Sequence, residues 1–443
     1  MKVLMLTWEF PPDHVGGLGK HVCQLSDALA SQGVEVHVIT PGKQEVTSGG
    51  GDRPFVHHII PYGVSAPDFV SWVLQLNIAT GERASRLVHE DGGFDLVHAH
   101  DWLTAFAGRA FKHAFHVPLV ATIHATEAGR NAGVHNRQQA YISNVEWWLG
   151  YEAWRVICCS EYMQREVRGV FSMPDDKISV VPNGVDPDEF QGADRALSRK
   201  AFASDDQKLL FFIGRLVREK GVQVLLEAAR LLIQQGENIK LVVAGAGPYE
   251  EELRYLAASL GIYSRVYFTG KVSDKMRNHL YRWADASICP SLYEPFGIVA
   301  LEAMAAGSGL VASDTGGLSE VVKHEVTGLK VPPGDPAALA AATSRLLHDT
   351  GLRADLRRNA VRTVRKDYSW AGIAKTTREL YADVLSQHRR SPWVVSDRLV
   401  QRRLPYESSA YGRRRRVPAE AVDGRSAQTA GPGGQPAGDG THS

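Results

Sequence analysis

Short runs of aliphatic and β-branched residues alternate along this chain with longer stretches in which apolar residues recur every three or four positions. Val3–Trp8 is the first run. Leu18, Val22, Leu25 and Leu29 then repeat at helical spacing, and Val34–Thr40 is a run again. Others fall at Asp95–Ala99, Pro118–His124, Val156–Cys159 and Ile178–Val181, before the turn cluster Pro182-Asn183-Gly184. A second series follows at Lys208–Gly214, Ile239–Ala244, Val266–Thr269, Ala286–Pro290, Gly309–Ala312 and Gly328–Val331. Amphipathic segments such as Val222–Leu232, Leu253–Leu260 and Ile298–Ala305 separate these runs. Strands alternating with helix-length segments predict parallel sheets built from βαβ units. The chain therefore reads as an α/β protein with two doubly wound halves, 1–185 and 208–368, joined by a polar linker at 186–207. A last helix is expected at 369–388.

Beyond that helix the pattern stops. Residues 389–443 hold ten Arg against five Asp or Glu, include Arg413–Arg416 in a row and end in Gly, Pro, Ala and Ser. Such a segment cannot bury enough apolar surface to fold and reads as a disordered basic tail. It is taken as a solvated linker, with contact to anionic lipid or polyphosphate as the alternative.

Composition narrows the partners. With 44% hydrophobic and 22% charged residues, the 443-residue chain is globular in make-up. Fifty basic side chains against 49 acidic ones leave a net charge of +1, which removes the overall electrostatic case for nucleic-acid binding. Cys23, Cys158, Cys159 and Cys289 form no CxxC pair and suit a reducing compartment. Val3–Trp8 is too short for the core of a signal peptide, and no stretch approaches the roughly 18 apolar residues of a membrane span. A cytoplasmic protein without a transmembrane segment is expected.

Four segments carry candidate chemistry. Val15-Gly16-Gly17-Leu18-Gly19-Lys20 follows the first strand and opens a helix, where bare amides and the helix dipole favour phosphate. It lacks Walker spacing. A dinucleotide site is also disfavoured, because the second strand ends at Thr40-Pro41 where a ribose carboxylate would stand. His98-Ala99-His100-Asp101-Trp102 closes a strand, and ligands of open α/β sheets bind beyond such ends. No third ligand at the usual zinc spacing follows it. His124 closes another strand. In the second half, Arg215 and Lys220 share one strand-to-helix loop and could grip a phosphate together.

The most specific segment is Glu294-Pro295-Phe296-Gly297-Ile298-Val299-Ala300-Leu301-Glu302. Eight helical residues would separate its two carboxylates by about 12 Å, beyond the roughly 5–9.5 Å of a glycosidase pair. One acid at each end of an elongated ligand, with amides between them, fits better. Thr315-Gly316-Gly317 forms another small-residue loop after the next strand. Asp186-Pro187-Asp188 matches an Asp-x-Asp metal motif but follows a turn, so it reads as turn chemistry and no obligatory metal is expected.

Taken together these segments resemble glycosyltransferase family 4, the retaining enzymes of GT-B fold, over roughly residues 1–385. The branch most similar contains the bacterial glycogen and starch synthases. The resemblance rests on Trp8-Glu9-Phe10-Pro11-Pro12, Gly16–Gly19, His98–Trp102, Thr122-Ile123-His124, Pro182–Asp186, the Arg215/Lys220 pair and the Glu294…Glu302 motif. It implies two Rossmann-like domains facing across a cleft, with the final helix crossing back onto the first. It further implies that Glu302 binds the nucleotide ribose and Glu294 the hydroxyls of the transferred sugar. Arg215 and Lys220 would hold the diphosphate, helped by amides near Gly297 and Ile298. His124 would lie against the sugar, and Gly17 would border the phosphates. From their own positions at a strand end and in a small-residue loop, His100, Asp101, Thr315 and Gly316 are taken as further substrate-binding residues.

The implied reaction moves a hexose, glucose in this branch, from a nucleoside-diphosphate sugar to a carbohydrate acceptor, as in α-glucan synthesis. The sugar nucleotide is a co-substrate, and no cofactor is expected. One departure stands out. Glycogen synthases carry a lysine before the paired glycines, whereas here His14-Val15 precede them and Lys20 follows. The alternatives are a nucleotide-sugar epimerase and a non-catalytic nucleotide-sugar-binding protein of the same architecture. An NAD-linked oxidoreductase ranks lower, for want of the ribose carboxylate in the first half.

Overall fold

A computed structural model describes residues 1–12, 16–62, 64–192 and 197–393, and in it the apolar runs form two sheets. The first half runs β1 (Lys2–Leu6), α1 (Gly17–Ala30), β2 (Glu35–Pro41), β3 (Val46–Gly50), β4 (Arg53–Ile59), α2 (Phe69–Asp91) and β5 (Leu96–His100). It continues with α3 (Ala105–Phe115), β6 (Leu119–Ile123), α4 (Glu127–Arg130), α5 (Arg137–Glu152), β7 (Arg155–Cys158), α6 (Glu161–Phe171) and β8 (Ile178–Val180). The second half runs β9 (Lys208–Ile213), α7 (Val222–Gln234), β10 (Ile239–Ala244), α8 (Glu250–Ser259), β11 (Val266–Gly270), α9 (Asp274–Trp283) and β12 (Ala286–Cys289). Then come α10 (Ile298–Ala305), β13 (Leu310–Ser313), α11 (Leu318–Val321), β14 (Leu329–Val331), α12 (Pro336–His348), α13 (Thr350–Asp367) and α14 (Trp370–Arg390).

The first sheet is ordered β3-β4-β2-β1-β5-β6-β7-β8, and β3 alone pairs antiparallel. The second, β11-β10-β9-β12-β13-β14, is parallel throughout. Helices cover both faces, so strands such as β5 and β6 are buried along their whole length and read as continuous apolar runs rather than alternations. The hairpin β3–β4 escapes that reading. β3 lies exposed at the sheet edge and ends in two glycines, while β4 carries Pro54, His57 and His58, so neither presents an apolar run.

β1 sits between β2 and β5, and β9 between β10 and β12. Strand order reverses at these two places, and the loops leaving the carboxyl ends splay apart there. Trp8-Glu9 and His100-Asp101 lie at the first reversal, Gly214-Arg215 and Pro290 at the second.

The segment expected as a polar linker is partly packed. Asp186 accepts the Asp188 N–H at 2.9 Å and caps a short helical turn, which is the turn chemistry read from Asp186-Pro187-Asp188. Phe190 is buried beside Tyr281, and Asn278 donates to the Glu189 carbonyl at 2.7 Å. α14 then lies on the first sheet. Its Ile373, Ala374, Tyr381, Val384 and Leu385 share a core with Val3, Met5 and Val22. Among its polar ties are the Tyr381 hydroxyl, 2.6 Å from His98 Nδ1, and the Trp370 indole, which donates to Gln24 at 3.0 Å. The helix runs on to Arg390, and the Trp393 ring sits against His113, His116 and the Lys112 ammonium. The first five residues of the stretch read as a tail, 389–393, therefore belong to the packed structure, and 394–443 lie outside the described residues. Both sheets and α14 form one compact unit, Met1–Val394.

Candidate active site

On the first half, burial governs the rim. Glu9 follows β1 and accepts the Gly19 N–H at 2.8 Å, which pins the start of α1. Burial raises its carboxyl pKa against the pull of the Gly19 and Gly16 amides. Beyond β5, Asp101 has φ 60° and ψ 173°, a conformation costing a non-glycine residue about 1–3 kcal/mol. Its N–H donates to the Thr122 carbonyl at 2.9 Å, and its Oδ1 accepts the His124 N–H at 2.7 Å. Arg130 stands 3.8 Å from Oδ2. Burial pushes the Asp101 carboxyl up to about 6 despite these partners. Asp101 therefore fixes His124 and Arg130 from behind.

His100 Nδ1 lies 3.2 Å from His124 Nε2. Burial holds His100 and His21 well below the ordinary imidazole pKa, and burial followed by Arg130 lowers His124 to about 3. All three rings are neutral at physiological pH. A ring nitrogen from each lies within 4.8 Å of the others, so the group could hold a metal ion. The third member, His21, comes from α1, far from the spacing at which a ligand was sought. His98 faces away, bonded to Tyr381 and to Thr122 Oγ1 at 2.7 Å.

On the second half the rim is charged. Lys220 Nζ lies 2.8 Å from Glu294 Oε2, which also accepts the Ser291 hydroxyl at 3.3 Å. Gly221 makes this possible: at φ 70° its backbone presses so close to β12 that any Cβ would overlap the Pro290 carbonyl oxygen. The Leu292 N–H donates to the Glu219 carbonyl at 2.8 Å, stitching the Arg215–Gly221 loop to the Glu294 loop. Thr315 donates to the Leu292 carbonyl at 3.2 Å, and the Gly317 N–H to the Glu294 carbonyl at 2.8 Å. Thr315 and Gly317 thus buttress the Glu294 loop, and Gly316 packs against it so closely that a Cβ there would overlap the Glu294 carbonyl oxygen. Arg215 is exposed, and its charge acts on Glu9 across the cleft.

Gly297, at φ 108°, starts α10, and a Cβ on Gly17 of the first half would rest 3.5 Å from Ile298 Cδ1. In the second turn of α10, Glu302 is buried. Its Oε2 accepts the Tyr281 hydroxyl at 3.0 Å, while Oε1 lies 2.8 Å from Lys20 and 3.5 Å from Arg277. Burial pushes this carboxyl up, but Lys20, Arg277 and Tyr281 together outweigh it and hold it below its ordinary value. The halves also meet where the Ser160 hydroxyl donates to the Pro295 carbonyl at 2.6 Å and Tyr293 to Glu166 at 2.9 Å.

Arg215, Lys220, Glu294, Gly297, Ile298 and Glu302 are thus gathered on one rim, opposite Gly17, His100, Asp101 and His124. Sequence reasoning passed over Arg277 and Tyr281, four residues apart on α9, and Arg130, Glu146 and Tyr293. The spacing of the α9 pair, one turn of helix, was the available signal.

Two family models match the chain, Glycosyltransferase Family 4 over residues 15–189 and Glycosyl transferases group 1 over residues 194–363. An uncharacterized glycosyltransferase of Methanocaldococcus jannaschii is 38% identical over 389 residues, covering 86% of this chain and 98% of the relative. The chain belongs to glycosyltransferase family 4. A glycogen synthase of Mycobacterium tuberculosis is another relative of this family 4 glycosyltransferase, 36% identical over 86% of this chain and 94% of its own length. Among solved structures, sucrose-phosphate synthase of Thermosynechococcus elongatus superimposes with a TM-score of 0.75 at 24% identity, covering 87% of this chain and 99% of that one. That likeness bears on the fold, which is GT-B.

Proposed function

We propose that this glycosyltransferase moves a glucosyl unit, with retention at the anomeric carbon, from a nucleoside-diphosphate glucose to a carbohydrate acceptor. The observation carrying the reading is the Lys220–Glu294 pair at 2.8 Å, set at the strand-order reversal of the second sheet beside the start of α10. Glu294 would read the sugar hydroxyls while Lys220 faces the departing diphosphate. Glucose as the sugar and α-glucan as the product rest on the glycogen synthase relative.

Breaking the anomeric C–O bond leaves negative charge on the diphosphate and an oxocarbenium-like sugar. Arg215, Lys220 and the free amides at Ile298 would stabilise that charge as it grows, through groups already aimed at it. The diphosphate then needs no metal to neutralise it. Neutral His124, backed by the fully buried His100, would offer a hydrogen bond to the sugar without adding a charge that repels the oxocarbenium. Attack comes from the face that the diphosphate leaves, with a phosphate oxygen taking the acceptor proton. Contacts such as Ser160–Pro295 keep the halves together and water out. The four cysteines are free thiols, so a reducing cytoplasm is the proposed location.

The test is a screen of UDP-, ADP- and GDP-sugars against oligosaccharides, with the linkage of any product determined. Anomeric retention with glucose is expected. Sugar interconversion without acceptor would indicate an epimerase, and donor binding without turnover a binding protein.

A further inference from the structure

Lys20 stands where a ligand of Glu302 would have to go. Its Nζ is 2.8 Å from Glu302 Oε1 and 3.4 Å from Glu189 Oε2. The ammonium comes from α1 on the first half and the Glu302 carboxylate from α10 on the second, so the pair spans the cleft. The two side chains are only 17% and 6% exposed, which takes the pair out of the weak, water-screened class. Tyr281 and Arg277 also hold Glu302, but they sit beside it on the second half. Two ribose hydroxyls donating to this carboxylate could leave both in place. Oε1 already takes Lys20 and Arg277 and Oε2 takes Tyr281, so two incoming hydroxyls need an acceptor position that Lys20 now fills.

The position of Lys20 in its own helix points the same way. It lies in the first turn of α1, which has no acidic residue there to offset it. A cation at a helix N-terminus opposes the dipole. What offsets that cost in the structure is Glu302 with Glu189, both from beyond β8. The lysine is therefore held by the opposite side of the cleft rather than by its own helix.

We propose that Lys20 is a competitive gate on the nucleoside pocket: it occupies the oxygen of Glu302 that would read the ribose, and nucleoside binding must break this ion pair between the halves. The inference rests on the assignment of Glu302 to the ribose. The cost falls on every ribonucleoside alike, because each presents the same ribose hydroxyls to Glu302, so removing the ammonium should tighten binding without changing which base is preferred.

The experiment measures binding of adenosine, uridine and guanosine, and of ADP, UDP and GDP, to the full chain by calorimetry. The neutral nucleosides isolate the ribose contact from any attraction of the phosphates to Lys20. In Lys20→Met the matching nucleoside should bind about 5-fold tighter or more, the low end of ordinary coupling. Lys20→Arg, which keeps the charge, should stay near wild type. Lys20→Gln serves as the neutral form if the methionine variant fails to fold. Unchanged, weaker or undetectable nucleoside binding in the folded neutral variants overturns the gate, even where diphosphates bind. Failure of all three diphosphates to bind wild type and variants alike overturns the nucleotide-sugar reading itself.

Discussion

The two rims of the cleft manage charge in opposite ways. On the first half, burial drives ionisable groups towards neutrality. His21, His98 and His100 are held well below the imidazole range, Asp101 is raised to about 6 and Glu146 to about 8. On the second half, Glu302 is as deeply buried yet stays charged, because Lys20, Arg277 and Tyr281 surround it. Desolvation is present on both sides, and the number of charged partners decides its outcome. One rim thus offers neutral hydrogen-bonding groups and the other paired charges.

Removing charge from the second rim is the severest test of that contrast. Lys220→Ala, and separately Arg215→Ala, should lower kcat/KM about 100- to 1000-fold in steady-state assays with the donor found by the screen. Wild-type rates in both would separate this rim from the leaving group. A neutral contact should matter less. His124→Ala should cost about 10- to 100-fold in kcat/KM, the scale of one buried hydrogen bond. His124→Asn, able to donate and accept without a charge, should recover part of the loss.

Stability reports on the first rim by a different route. Glu146 accepts the Glu127 N–H with both oxygens at 3.0 Å and is raised by burial from 4.5 to about 8. A raised carboxyl contributes stability that is complete below the unfolded value and is lost as pH rises through the folded one. Glu146→Gln should therefore match wild type in urea unfolding near pH 4.5 and exceed it near pH 8, by on the order of 1–3 kcal/mol. The buried imidazoles carry the opposite sign. Their contribution is complete above an ordinary value of 6.5 and falls away as pH drops towards the value of about 3 at His124. The smallest expected effect lies farthest from the cleft. Tyr381→Phe removes the α14 bond to His98 and should cost about 1 kcal/mol of unfolding free energy, with turnover unchanged.

Most strand runs were legible because each lies buried under helices on both faces, and continuous burial leaves a continuous apolar word in the chain; their order in the sheets was not. β3–β4 was not legible, since an exposed edge strand needs no such word. The Glu294…Glu302 motif was legible for a related reason: a loop leading into a helix fixes local geometry through Pro295 and Gly297, within a few residues. The bulk of the active-site candidates could be named from strand ends alone.

What the chain could not announce is whatever depends on distant segments meeting. His21 reaches His124 only because α1 lies beside β1 and β5, Tyr381 finds His98 only because α14 returns to the first sheet, and Lys20 meets Glu302 only when the halves close on each other. Local sequence encodes backbone preference and burial pattern, which act over a few residues. Charge state, hydrogen-bond partner and desolvation depend on what the remainder of the fold places within a few ångströms, and that was decided by tertiary structure.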